Sequence, residues 1–182
     1  MASTKRFGAF GLSAALTLFG GSGMLGQCDK KPKPAPAAAA PAPAPPPAPA
    51  PTPVALNPVV AEAIALTNAH RANAGLPALA AHPSLVAAAD RHSADQAARG
   101  VMSHTGGDGS DAGQRITAAG FKWRTWGENV AYGQPNAQAV ITAWMNSAGH
   151  RTNILSPKFT QIGLSAATAP DGRIFWTMTL AA

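Results

Sequence analysis

Apolar positions from Pro58 onward repeat first with a helical period and then with a strand period. From Pro58 to Ala74 the sequence is rich in alanine, and Val60, Ile64 and Thr67 fall on one face of a helix that Gly75 would stop. A second helix is predicted from Pro83 to Gly100, with Leu85, Ala88, Ala89, His92 and Gln96 in one stripe and proline in its first turn. A third, short helix is expected to start after Ser110 as its N-cap and to end before Gly120. The fourth, Asn136 to about Ser147, presents Val140, Ile141, Trp144 and Met145. Then the period changes. Phe159 to Ala166 and Arg173 to Leu180 are β-rich runs flanking the turn signal Ala169-Pro170-Asp171-Gly172, which predicts an antiparallel hairpin. Val130 to Tyr132 supply a further strand. Helices around a small antiparallel sheet make the expected fold class α+β.

The first 55 residues are expected to lie outside this domain. Lys5 and Arg6 precede an apolar run from Phe7 to Leu25, the charged-then-apolar order of an export signal. A transmembrane helix is the rival reading of the same run, against which its glycines and serines count. The lone cysteine, Cys28, follows directly in Leu25-Gly26-Gln27-Cys28. A lipoprotein-type site would make Cys28 a lipidation point and tether the chain to a membrane, although Gln27 stands where such sites carry a small residue. Ordinary signal cleavage and release is the alternative. With a single cysteine the domain has no internal disulfide and must be held by packing. Residues 29–55 form a proline- and alanine-rich linker, too poor in large apolar groups to offset chain entropy. As polyproline II, at about 3.1 Å per residue, it would make a spacer on the order of 70 Å long.

The net charge of +6 is concentrated in that N-terminal part. Before residue 56 there are five Lys or Arg against Asp29, which leaves nine basic and seven acidic residues for residues 56–182. A nearly balanced domain without a Lys/Arg cluster argues against a nucleic-acid partner.

Three short segments carry the candidate chemistry: Ser103-His104-Thr105-Gly106, Gly127-Glu128-Asn129, and Gly149-His150-Arg151 with Asn153 just behind. Each puts an imidazole or carboxylate beside glycine and small polar residues, where it can face a cleft. A carboxylate near two imidazoles would favour their protonated forms. The alternative for His150 and Asn153 is to cap the end of the fourth helix. His104, Glu128 and His150 would also make a His₂Glu set for zinc or another divalent cation, without the local His-x-x-x-His spacing that would signal it. The loop Thr105 to Asp111 carries Asp108 and Asp111 but lacks the spacing and terminal glutamate of an EF-hand. His92, on an apolar stripe, reads as a buried and satisfied histidine, and the four tryptophans as core volume, with Trp126 able to wall a cavity. No serine lies in a nucleophile-elbow motif.

The order of these segments, with Asn68-Ala69-His70-Arg71-Ala72-Asn73 upstream and Ala143-Trp144-Met145-Asn146-Ser147-Ala148-Gly149-His150-Arg151 downstream, resembles the CAP superfamily of cysteine-rich secretory, antigen 5 and pathogenesis-related proteins, in its short disulfide-free bacterial branch. The resemblance covers roughly residues 56–182. It implies an α-β-α sandwich with His104 as the first cavity histidine, Glu128 in the same cavity, and the second histidine's place held by His150 or by a residue near Lys158 to Thr160. It also implies a second glutamate about three residues beyond the helix tryptophan, where this chain has the neutral Ser147. Ser147 and Asn153 complete the expected cleft. What the cleft would take is left open among a small molecule, a lipid, a peptide and an envelope component. The function implied is an exported or envelope-associated domain with a His/Glu cleft. A peptidase-like hydrolase using Glu128 and the histidines, or a partner-binding domain with a vestigial cleft, are the alternatives.

Overall fold

The computed structural model describes residues 56–182. The expected export signal (1–28), the linker (29–55) and Cys28 lie outside the described residues. Five helices and four strands follow in the order α1 (Pro58–Asn73), β1 (Ala80–Ala81), α2 (Pro83–Arg99), α3 (Ala112–Ala118), β2 (Trp126–Tyr132), α4 (Ala137–Asn146), α5 (Ala148–Ile154), β3 (Gln161–Thr168) and β4 (Ile174–Ala181). The strands form one sheet in the order β1-β3-β4-β2. The β3–β4 hairpin is antiparallel, β2 pairs antiparallel with β4, and the two-residue β1 runs parallel to β3.

Local sequence explains most helix ends. Asn57 accepts from Val59 N at 3.0 Å to open α1, and His82 accepts from Ser84 N at 3.2 Å to open α2 ahead of Pro83. Asp111, and not Ser110, caps α3: its carboxylate accepts from Gln114 N at 2.7 Å while Gln114 Oε1 accepts from Asp111 N at 2.9 Å. This reciprocal capping box stabilises the start of the helix and engages the Asp111 carboxylate with backbone.

Strand alternation divides the interior into two layers. Ile162, Leu164, Trp176, Met178 and Leu180 pack with Val60 and Ile64 of α1 and with Val140, Ile141 and Trp144 of α4 in the larger core. The intervening residues face α2. There Gln96 Nε2 donates to Thr177 Oγ1 at 3.0 Å, Ser93 Oγ to Ser165 O at 3.2 Å, and Thr179 Oγ1 to Leu85 O at 3.0 Å. This layer is thin because a side chain on Gly163 would run into the backbone of Leu85 and Val86. Glycine at 163 lets the α2 backbone lie directly on the sheet. Trp144 and Trp176 are core residues, but Trp123 and Trp126 are 39% and 37% exposed, so only half of the tryptophans expected inside are there.

Helices on both faces of a small sheet make an α-β-α sandwich, as expected. The fourth helix ends at Asn146 as expected, where Ser147 takes an extended backbone (φ −96°, ψ 122°), and a fifth helix that the sequence reading missed carries His150 and Asn153.

Candidate functional site

Strand β2 lies at the sheet edge, and its alternation decides the site. Glu128 sits opposite Thr179, whose hydroxyl faces α2, whereas Asn129 sits opposite Met178 of the larger core. The Glu128 side chain therefore points into the layer of α2 and α3, and that of Asn129 into the layer of α4 and α5.

In the first layer Glu128 has a 2% exposed side chain and both of its oxygens are engaged. His104 Nδ1 is 2.9 Å from Oε1, and Arg115 Nη2 donates to Oε2 at 2.6 Å. Arg115 also donates to His104 O at 3.1 Å and to Ser110 O at 2.6 Å, so one guanidinium ties the carboxylate to both ends of the loop 104–110. The loop is fixed from its other side by α2. Gln96 Oε1 accepts from Ser103 N at 3.1 Å, and His92 Nε2 lies 2.8 Å from Ser103 O, a carbonyl to which it must donate. Burial lowers the His92 pKa, in keeping with a neutral ring. The result is an imidazole whose side chain is 60% exposed, backed by a carboxylate that solvent hardly reaches. The hydrogen bond to Glu128 raises the His104 pKa and outweighs the opposing effects of burial and of Arg115.

In the second layer α5 is held by the strand backbone and by Asn129. Asn129 Nδ2 donates to His150 O at 3.1 Å, and Asn153 Nδ2 reaches Glu128 O at 3.2 Å and Asn129 Oδ1 at 2.8 Å. Asn153 thus supports the backbone that carries Glu128. The His150 ring packs beside Trp144, with centroids 6.4 Å apart. Its pKa is lowered, first by burial and then by the charge of His104.

A cavity of about 370 Å³ opens at this edge, lined by His104, Thr105, Trp126, Gly127, Glu128 and Asn153 among others. Gly127 is required for its shape, because a side chain there would meet the Phe159 ring at 2.9 Å. Of the residues expected in the cleft, His104, Glu128 and Asn153 meet here. His150 and Ser147 do not line this cavity, and Ser147 instead marks the α4–α5 break without a side-chain cap bond.

Two expectations need correction. Glu128 pairs with one imidazole, not two, and only that one has its pKa raised. The His104–Glu128–His150 metal set does not assemble: among the described residues no three His, Cys, Asp or Glu side chains are grouped to hold a metal ion. Strand alternation puts Glu128 and the helix of His150 in different layers, and Arg115 takes the second carboxylate oxygen. The sequence reading also missed Arg115, and with it the clamp roles of His92 and Gln96. The only local signal for Arg115 is a basic side chain four residues after a helix cap, which is too common to single out.

An α-β-α sandwich whose edge strand presents Gly-Glu-Asn beside a histidine loop defines a CAP-type domain. The model of the cysteine-rich secretory protein family matches residues 64–180, and the chain belongs to that family. It is 38% identical over 101 residues to the Bacillus subtilis protein YkwD, covering 56% of this chain and 39% of that protein. With the B. subtilis membrane protein YlbC it shares 29% identity over 99 residues, covering 54% of this chain and 29% of YlbC. The chain thus spans well under half the length of these relatives. Among solved structures, an extracellular SCP-domain protein of Bacillus anthracis superposes with a TM-score of 0.62 at 28% identity, covering 68% of this chain and 40% of that one. An outer surface protein of Borrelia burgdorferi superposes with a TM-score of 0.60 at 19% identity, covering 65% of this chain and 87% of that one, a likeness of fold.

Proposed function

We propose that this CAP domain is an exported ligand-binding module in which His104, held by Glu128 and Arg115, is the group that meets the ligand at the β2 edge. The observation that carries this reading is the contrast between the 60% exposed His104 side chain and the 2% exposed carboxylate behind it. With Nδ1 engaged by Glu128, the remaining ring nitrogen is the one left for a ligand, and in the protonated ring it is a donor. Below the raised His104 pKa the ligand therefore meets a donor at this point, and above it, with Nδ1 donating to Glu128, an acceptor. A hydrolase reading would make Glu128 a general base. Both of its oxygens are already engaged, which favours a positioning role over proton abstraction. Glu128 thus has no oxygen left without a partner, and among the described residues no three His, Cys, Asp or Glu side chains are grouped to hold a metal ion.

Glu128→Gln tests the arrangement. The change keeps shape and removes charge, so the His104 pKa should fall while His150, which lacks contact with Glu128, should respond only through the altered charge of His104. Because the folded-state His104 pKa is raised from 6.5, the pair's contribution to stability is fully present below about pH 6.5. It is lost as pH rises through the raised value. His150 acts with the opposite sign, its contribution being lost as pH falls through its lowered value. NMR titration of both rings in the two proteins measures this directly. Unchanged His104 titration in Glu128→Gln would sink the proposed pair.

Export is inferred from the charged-then-apolar N-terminus and from the extracellular and outer-surface relatives. Among the described residues no helix is long and apolar enough to cross a membrane. If Cys28 is a lipid anchor, Cys28→Ala should move the protein from the membrane fraction to the soluble exported fraction. Unchanged release would point to ordinary signal cleavage, and unchanged membrane association to an anchor other than Cys28.

A further inference from the structure

A second concavity of about 550 Å³ adjoins the His104 cavity and shares Trp126 and Asn153 with it. It lies between the start of β2 and the connection from α5 to β3. Its lining includes the cations Arg151 and Lys158 and the hydroxyls of Thr125, Thr152 and Ser156, with no Asp or Glu. Both cations are exposed, and neither has a carboxylate partner among the described residues. Arg151 spends one N–H on Met145 O at 3.3 Å. Ser156 Oγ accepts from Lys158 N at 3.3 Å, which leaves its own hydrogen free to donate, whereas Thr152 gives its hydrogen to Ala148 O at 2.8 Å. The groove is therefore rich in donors and positive charge around one hollow. The three pairs that neutralise Arg99, Arg115 and Arg173 lie elsewhere.

We propose that this groove binds an oxyanion, phosphate or carboxylate, carried on a larger soluble molecule, with Arg151 and Lys158 as its anchors. Charge complementarity favours an anion, since a cationic ligand would meet two positive groups and no negative one. The guanidinium and the ammonium supply charge-assisted hydrogen bonds, and the Thr125 and Ser156 hydroxyls add neutral ones. The volume falls within the range of about 300–1,000 Å³ typical of small-molecule sites and exceeds what a lone ion would fill. Leu155, Pro157 and Phe159 on the wall provide apolar contact for the body of the ligand. Both cations line a concavity, which suits a compact anionic group better than a flat lipid surface.

Titration of a protein spanning the signal-free chain with glycerol 3-phosphate, glucuronate and inorganic phosphate, followed by backbone amide NMR at constant ionic strength, tests the proposal. Saturable shifts at Thr125, Ser156 and Lys158 are expected with at least one of the organic anions, weakened at least about tenfold in the double variant Arg151→Ala/Lys158→Ala. Which of the two organic anions saturates distinguishes a phosphoester from a sugar acid. Lys158→Ala alone, which removes no hydrogen bond within the protein, should weaken the shifts without lowering Tm, so a folding defect at Arg151 cannot imitate the result. Glu128→Gln should leave this binding intact even if the His104 cleft proves to have no ligand. Shifts that chloride reproduces, shifts that persist in the double variant, binding to phosphatidylglycerol vesicles but to none of the soluble anions, or loss of binding in Glu128→Gln alone would each overturn it.

Discussion

Replacing Arg115 with methionine should destabilise the domain by about 3 kcal/mol or more, the cost of leaving a buried carboxylate without its main counter-charge. The Glu128 side chain is 2% exposed and that of Arg115 10%, so water cannot readily replace the lost guanidinium. His104 keeps one oxygen compensated, which holds the cost toward the lower end of the range for broken buried pairs. The variant should also move the His104 pKa up, because the Arg115 charge now lowers it. Glu128→Gln moves the same ring in the opposite direction. Denaturant unfolding with an unchanged m-value gives the first quantity, and imidazole NMR gives the second. A loss under about 1 kcal/mol would mean that Glu128 is solvated or re-paired at little cost, and its assignment as a buried support for His104 would fail.

Arg71→Met should have an effect of similar size, although Arg71 itself lines neither cavity. Arg71 has no exposed surface, and its guanidinium has no carboxylate partner among the described residues. It donates to four carbonyls instead, those of Pro77 at 3.0 Å, Ile154 and Ser156 at 2.8 Å each, and Phe159 at 3.3 Å. One side chain from α1 thereby organises the turn after its own helix and the connection from α5 into β3. Methionine fills part of the volume but donates nothing, and it leaves buried carbonyls unsatisfied. A loss of about 3–5 kcal/mol is expected, several times the net value of one ordinary hydrogen bond. That corresponds to about 10 °C or more in Tm for a domain of this size. Arg71→Lys should recover little of it, since a single ammonium cannot reach carbonyls arranged around a planar fork. Near-native melting of the methionine variant would show that the connection 155–160 holds itself.

The two variants separate what holds the core and its connections from what the edge site does. Arg71 lies within the helix-and-turn patch by which the sequence resembles the CAP superfamily, and its bonds shape the backbone that ends at Phe159, the ring that Gly127 accommodates. Damage there should reach the cleft through the position of β2. Damage at Arg115 should alter the charge of the cleft directly.

Much of the architecture is legible in the sequence because it follows from local periodicity. The stripe Leu85, Ala88, Ala89, His92 and Gln96 fixes the buried face of α2, and alternation across Ala169-Pro170-Asp171-Gly172 fixes the β3–β4 hairpin. Local capping is less secure: Ser110 and Asp111 are adjacent cap formers, and only the reciprocal bond with Gln114 selects the second. The two-residue β1 has no pattern of its own, because its pairing with Gln161 and Ile162 is made by residues about 80 positions away.

The candidate site divides in the same way. Sequence by itself determined which residue types were available, His104, Glu128, Asn153 and His150 beside glycines and small polar groups, and that they belong to one domain of helices around a hairpin. Tertiary structure alone decided their partners. A strand turns successive side chains to opposite faces, so Glu128 and Asn129, neighbours in the chain, face different layers, and the carboxylate meets His104 and Arg115 but not His150. Which charge ends up beside another depends on how α3 and α5 dock against that edge strand, and docking is set by the whole core, not by any segment that carries the chemistry.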